Sequence, residues 1–227
     1  MSRHFHGKEN RDLIKHKHFV YEQDGVYHKK ITKFRTRHWF NDPARGKSYA
    51  ENKWFKTYKK RFNNHPNFVS LLHIDFDDKY YKMSKIDYIC TLYERLDNLL
   101  VNQAAKKYSK NKNKYLEDEK ECIQKIFNQY KIIVNYILSF NDNFLHTDIW
   151  GYQNILVDKN NNLFLIDPDG FSHLSRYHSH WAKYKMYKNL ADIKRIELFI
   201  INNDINISWE RIRYGYLSDS CKIPASI

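Results

Sequence analysis

An α+β fold is what the sequence predicts, and three patterns predict it. The pair Asp24-Gly25 stands between the apolar runs 18–21 and 26–31, which marks a tight β-hairpin. Apolar residues recur at helical spacing over 92–108 and 116–140. A further hairpin is written in Ile155-Leu-Val157, the polar turn 158–162 and the apolar run Leu163-Phe-Leu-Ile166.

Taken in order, the first hairpin is followed by 48–63, where Tyr49, Trp54, Phe55, Tyr58 and Phe62 fall at mostly helical spacing among charges. His65-Pro66-Asn67 ends that helix, because proline disfavours the helical conformation of the residue before it. The runs 68–76 and 80–83 read as two strands about Asp77-Asp-Lys79, which close a small sheet. Of the two long helices, the second buries Ile123, Ile126, Phe127, Tyr130, Val134, Ile137 and Leu138, and the polar run Ser109–Lys114 between them is a solvated loop. After the second hairpin come the basic aromatic stretch Arg176-Tyr-His-Ser-His-Trp181 and then two helices, around 186–200 and 208–217.

The chain of 227 residues is long enough to bury one substantial core, and its eighteen Tyr and fourteen Phe with few Gly and Pro argue against disorder. A formal charge of +13 predicts an anionic partner; nucleic acid, anionic lipid headgroups and phosphorylated glycolipid all satisfy it. Cys90, Cys122 and Cys221 are too scattered for a disulfide framework, which suggests a reducing compartment. The polar, basic N-terminus argues against a secretion or transit signal, and no uninterrupted apolar stretch is long enough to span a bilayer. Neither GxGxxG nor GxxxxGK[ST] occurs, which rules against Rossmann and P-loop nucleotide sites. His178 and His180 alternate without a nearby Cys or carboxylate and so do not read as a zinc site.

Chemistry is concentrated in His146-Thr-Asp148, Asn154 and Ile166-Asp-Pro-Asp-Gly170. Phosphoryl transfer needs positioning and charge neutralisation more than covalent chemistry, and each residue suits one of those tasks. Asp148 can take the proton of an attacking hydroxyl. Asn154 and Asp167 offer the oxygen ligands that Mg²⁺ prefers, at the same end of one hairpin. Asp169 is a reserve ligand beside a turn glycine.

The segment 145–171 resembles the kinase-like phosphotransferase superfamily, and is most similar to the kinases of lipopolysaccharide-core sugars, the Kdo and heptose kinases, with their His-x-Asp loop, following Asn-Ile-Leu and later Asp. The resemblance implies a bilobal fold, with a small antiparallel N-terminal lobe over 1–86 that covers ATP and a short helical catalytic lobe over 87–227. His146 and Asp148 would form the catalytic loop, with Asn154 and Asp167 on Mg²⁺. One departure is that five residues, Ile149 to Gln153, separate Asp148 from Asn154 where the family has four. Either Asn154 keeps its role through a bulge at Gly151, or Gln153 supplies the amide.

The resemblance further implies a lysine on the second strand that reaches the phosphates. Lys30 is the choice because it precedes Ile31; Lys29 would point to the opposite face, and Lys33 is a third candidate. Glu51, in the helix that follows, would orient it, or else complement the helix dipole. The segment 85–89 would be the hinge that meets adenine. Arg176, His178, His180 and Lys183 would bind an acidic sugar, a sugar phosphate or a lipid headgroup, and Asn189-Leu190 would open the next helix. The implied activity is ATP- and Mg²⁺-dependent transfer to a sugar hydroxyl of a lipopolysaccharide-core or similar glycolipid, by a cytoplasmic enzyme peripheral to the inner face of a membrane. A minimal protein kinase and a basic, non-catalytic kinase-like module that binds nucleic acid are the alternatives.

Overall fold

The computed structural model describes residues 20–30, 50–75, 80–106, 116–149 and 152–202. Lys33, the 109–114 loop, Trp150, Gly151, the 208–217 segment and Cys221 lie outside them. The architecture is mixed α+β, with small antiparallel sheets and four α-helices among the described residues.

Strands β1 (Val20–Gln23) and β2 (Val26–Lys30) form the expected hairpin. Its two-residue turn puts both Asp24 and Gly25 at positive φ, the geometry that matches the twist of the flanking strands and that Asp-Gly supplies with least strain. β3 (Leu71–Asp75) and β4 (Tyr80–Ser84) complete a four-stranded sheet in the order β1-β2-β4-β3. Alternation divides its faces: Tyr81 and Met83 on β4 are buried, and Lys29 on β2 stands opposite Tyr81.

Between β2 and β3 lies a π-helical turn (Ala50–Phe55) that runs into α1 (Lys56–Phe62). Trp54, Tyr58 and Phe62 share one face and are buried. The Tyr58 hydroxyl donates to the Val69 carbonyl at 2.8 Å, so this ring is buried with its polar end satisfied.

Residues 85–89 lead from the sheet to β5 (Cys90–Thr91), which pairs with β7 (Ile155–Val157); β7 in turn pairs with β8 (Leu163–Leu165). The helix α2 (Leu92–Lys106) starts with a capping box: Thr91 Oγ1 accepts the Glu94 amide at 3.2 Å, and the Glu94 carboxylate accepts the Thr91 amide at 2.8 Å. The long α3 (Leu116–Ser139) packs against α4 (Arg176–Asn202). β6 (Phe144–His146) pairs with β9 (Phe171–His173). Gln129 of α3 ties the two parts together, since its side-chain oxygen accepts from both Asn67 and the Leu163 amide.

Two expectations are corrected. The basic stretch 176–181 is not separate from the helix after it; both belong to α4, because Ser179, Ala182, Met186 and Leu190 continue one buried stripe. Asn189 is therefore mid-helix rather than at a helix start. Phe68 is not in a strand with 71–75 but makes an isolated parallel bridge to Leu165.

The core meets at Phe62, whose ring lies 4.7 Å from Phe68 and 4.5 Å from Phe171. Phe62→Ala should cost about 3–5 kcal/mol, the usual loss for truncating a buried aromatic ring. Chemical denaturation measures it, as a lowered midpoint at unchanged slope. Among the described residues no helix is long and apolar enough to cross a membrane.

Candidate functional site

Phe171 links this core to the polar segment before it. His146 is fully buried and sets its ring edge-on to Phe171, with centroids 4.9 Å apart. Its Nδ1 accepts the backbone amide of Asp148 at 3.1 Å, so the neutral ring carries its hydrogen on Nε2. Thr147 donates from both its amide and its hydroxyl to the Gly170 carbonyl, at 2.9 and 3.0 Å. The His-x-Asp segment is thereby fixed to the Asp-Pro-Asp-Gly segment through backbone, while the Asp148 side chain is half-buried.

Gly170 is required by this approach. A Cβ there would stand inside contact distance of the His146 ring, although the backbone itself is not in the left-handed region. Gly170→Ala should destabilise by about 1–3 kcal/mol, as overpacking does. It should also displace His146 and the Asp148 amide that it holds. A fall in melting temperature would be the signature.

Across the loop, the Asn154 side-chain amide donates to the Asp148 carbonyl at 2.8 Å, and the Asn154 carbonyl accepts the Ile166 amide at 2.9 Å. The lengthened loop thus returns Asn154, not Gln153, to Asp148; Gln153 is exposed. With the nitrogen of its amide engaged, Asn154 has its oxygen as the remaining donor to a cation. The loop is held from below by Asn189 of α4, whose amide reaches the Ile149 carbonyl at 3.3 Å and the Tyr130 hydroxyl at 3.1 Å. Tyr152 donates to the Asn189 carbonyl at 3.3 Å.

Asp167 adopts a left-handed backbone conformation, φ 68° and ψ 60°, at the start of a 3₁₀ turn formed by Pro168–Gly170. Asp is among the few residues that tolerate this region, and the turn closes with the Gly170 amide on the Asp167 carbonyl at 2.8 Å.

The strand lysine that meets these aspartates is Lys29 rather than Lys30. Its ammonium pairs with the carboxylates of Asp167 and Asp169, the latter at 2.9 Å. Lys30 is exposed and lies on the other face of the sheet, the face that carries the buried His28, because strand residues alternate. Asp169 is 1% exposed and also accepts the Tyr81 hydroxyl at 2.7 Å. Its carboxylate is thus engaged by both the Lys29 ammonium and the Tyr81 hydroxyl. Glu51 lies in the π-helical turn before α1, but its side chain is outside the described set.

A second cation, Lys185 of α4, was not singled out by sequence. It stands one helical turn before Asn189, on the side of α4 that supports Ile149. Burial lowers its pKa, and the negative charge of Asp148 acts in the opposite direction. The i, i+4 spacing of Lys185 and Asn189 is the signal that could have found it. Arg176 and His178 are exposed in the first turn of the same helix, and Lys183 is half-buried. Ser175 caps α4, its hydroxyl accepting the His178 amide at 3.4 Å and lying 2.8 Å from His178 Nδ1.

Among the described residues no three His, Cys, Asp or Glu side chains gather as a metal cage. The donors that the site does offer, the Asp167 carboxylate and the Asn154 amide oxygen, are hard oxygens and suit Mg²⁺ completed by phosphates and water. A separate hollow of about 390 Å³ is lined by Thr57, Lys60, Arg61, Tyr136 and Phe140. Compared with known proteins, the chain matches no family model and no curated protein.

Proposed function

We propose that the protein is an ATP- and Mg²⁺-dependent phosphotransferase of the kinase-like type, which phosphorylates a sugar hydroxyl of an anionic glycolipid. One observation carries the reading: Lys29, from the first sheet, meets Asp167 and Asp169 more than a hundred residues away, beside a loop in which Asn154 is bonded to Asp148. A strand lysine, a loop aspartate, an amide and a turn aspartate are the four groups that phosphoryl transfer to an alcohol uses. The bilobal architecture belongs to the same reading, with the four-stranded sheet and α1 as the small lobe and α2, α3 and α4 as the larger one.

In this scheme Lys29 draws the nucleotide phosphates toward Asp167, and Asp169 with Tyr81 keeps the ammonium from swinging away. Mg²⁺, when bound, neutralises the charge of the phosphates. Asp167 and Asn154 would hold it. Asp148 orients the acceptor hydroxyl and takes its proton as the oxygen attacks the γ-phosphorus, while ADP departs. Lys185 adds a positive charge on the acceptor side of Asp148. His146 and Asn189 act through others: they hold the backbone that carries the base.

The acceptor class is supported by the +13 charge and the basic outer side of α4. Its test is to offer γ-labelled ATP with membrane glycolipid, soluble protein and nucleic-acid fractions in separate reactions. Label in the glycolipid fraction is the expected result. Label in protein alone would replace the acceptor and keep the chemistry; ATP bound but transferred to nothing would overturn the enzyme reading.

A further inference from the structure

We infer that the outer side of the first half of α4 docks on an anionic phospholipid membrane surface. Residues 176–188 contain Arg176, Lys183, Lys185 and Lys188, together with His178 and His180, and not one Asp or Glu; the first acid of the helix is Asp192. The packing splits this segment in two. Ser179, Ala182 and Met186 turn inward and are buried, whereas Tyr177 is 79% exposed and Trp181 54%, with Tyr184 and Tyr187 also exposed.

Tyr177, Trp181 and Tyr184 follow one another at i, i+4 and i+7, so they form a single stripe along the helix. Large rings are costly to leave in water, and four on one side of a helix, edged by cations of which Lys188 also pairs with Asp192 at 3.7 Å, fit a partner that is apolar at depth and negative at its surface. The membrane–water interface has that profile: indole and phenol rings lie at headgroup level, while lysine and arginine reach the lipid phosphates.

The ring geometry favours this occupant over a single-stranded nucleic acid. Bases bind by stacking on open aromatic faces. Trp181 instead stacks on Tyr184, with centroids 5.5 Å apart at 21°, and the Lys185 ammonium lies 5.2 Å from the indole centroid. With Tyr184 and Lys185 already against its ring, the indole offers edges and area, which suit insertion among headgroups and acyl chains.

Docking in itself stands on this surface alone. What it adds to catalysis rests on the phosphotransferase reading: Lys185, at the edge of the stripe, neighbours Asp148, so a bound membrane would present headgroup sugars to the base.

The test is flotation of the full chain with vesicles of phosphatidylcholine alone, and of phosphatidylcholine with about a third phosphatidylglycerol. The Asp148→Asn variant is floated as well, so that loss of chemistry and loss of docking are read separately. Wild type and Asp148→Asn should float with the anionic vesicles only, and high salt should weaken this. The exposed-ring variant Tyr177→Ser/Trp181→Ser should bind at least about tenfold more weakly, with unchanged melting temperature. Lys59→Ser/Lys60→Ser, two substitutions to serine at exposed positions of α1, should stay close to wild type. Failure to float with anionic vesicles would overturn the proposal, as would equal loss in the α1 variant. So would a stripe substitution that spares vesicle binding while abolishing binding of single-stranded RNA.

Discussion

Asp148→Asn should lower the rate of phosphoryl transfer by about 10²–10⁴ and leave both the melting temperature and the affinity for Mg-ATP near wild type. Asparagine keeps the size of the side chain and removes its capacity to take a proton. The fold should not respond, because the bonds that fix this residue run through its backbone: the amide donates to His146 and the carbonyl accepts from Asn154. Single-turnover transfer from labelled ATP, compared at equal nucleotide saturation, separates the chemical step from binding. Equal rates in the two proteins would remove Asp148 as the base.

Lys29→Met should have the second large effect, on stability and nucleotide binding together. Its ammonium serves two carboxylates, and the side chains are buried, 8% exposed for Lys29 and 2% for Asp169. Removing the cation leaves buried negative charge uncompensated, at a cost of about 3–5 kcal/mol. Mg-ATP affinity should fall as well, since the phosphates lose their strand cation. The neighbouring Lys30→Met changes an exposed side chain on the opposite face and should leave both properties within experimental error. Paired denaturation curves and ATP titrations decide it. A Lys29→Met protein as stable as Lys30→Met would mean that the buried pair does not form.

The contrast between these two lysines shows how far the sequence could be read. Asp24-Gly25 announced its hairpin because few residues accept two successive positive φ angles, and the apolar spacing of α3 announced a buried stripe. Which face of β2 met the site was another matter. A shift of one residue reverses every side chain of a strand, and the local pattern Lys29-Lys30-Ile31 holds no record of Tyr81 or Asp169, which decide the face. Asn154 was legible from the strand behind it, yet its bond to the Asp148 carbonyl depends on how the longer loop closes, and Asn189 of α4 takes part in that closure. Lys185 was hidden for the same reason, being one basic residue among several until the packing of α4 selected it. The division of 176–200 into a basic aromatic stretch and a separate helix failed because charged and aromatic residues on the outer side masked the buried stripe of Ser179, Ala182 and Met186.

The central claim is that Lys29, Asp167 and Asn154 form a site for the phosphates of Mg-ATP. Calorimetric titration of ATP into the full chain, once with Mg²⁺ and once with EDTA, tests it most directly. The account predicts saturable one-site binding with Mg²⁺, at least about tenfold weaker in EDTA and in Asp167→Asn, as expected when a bound cation supplies much of the phosphate attraction. Absence of ATP binding in the presence of Mg²⁺, by a protein shown to be folded, would contradict it.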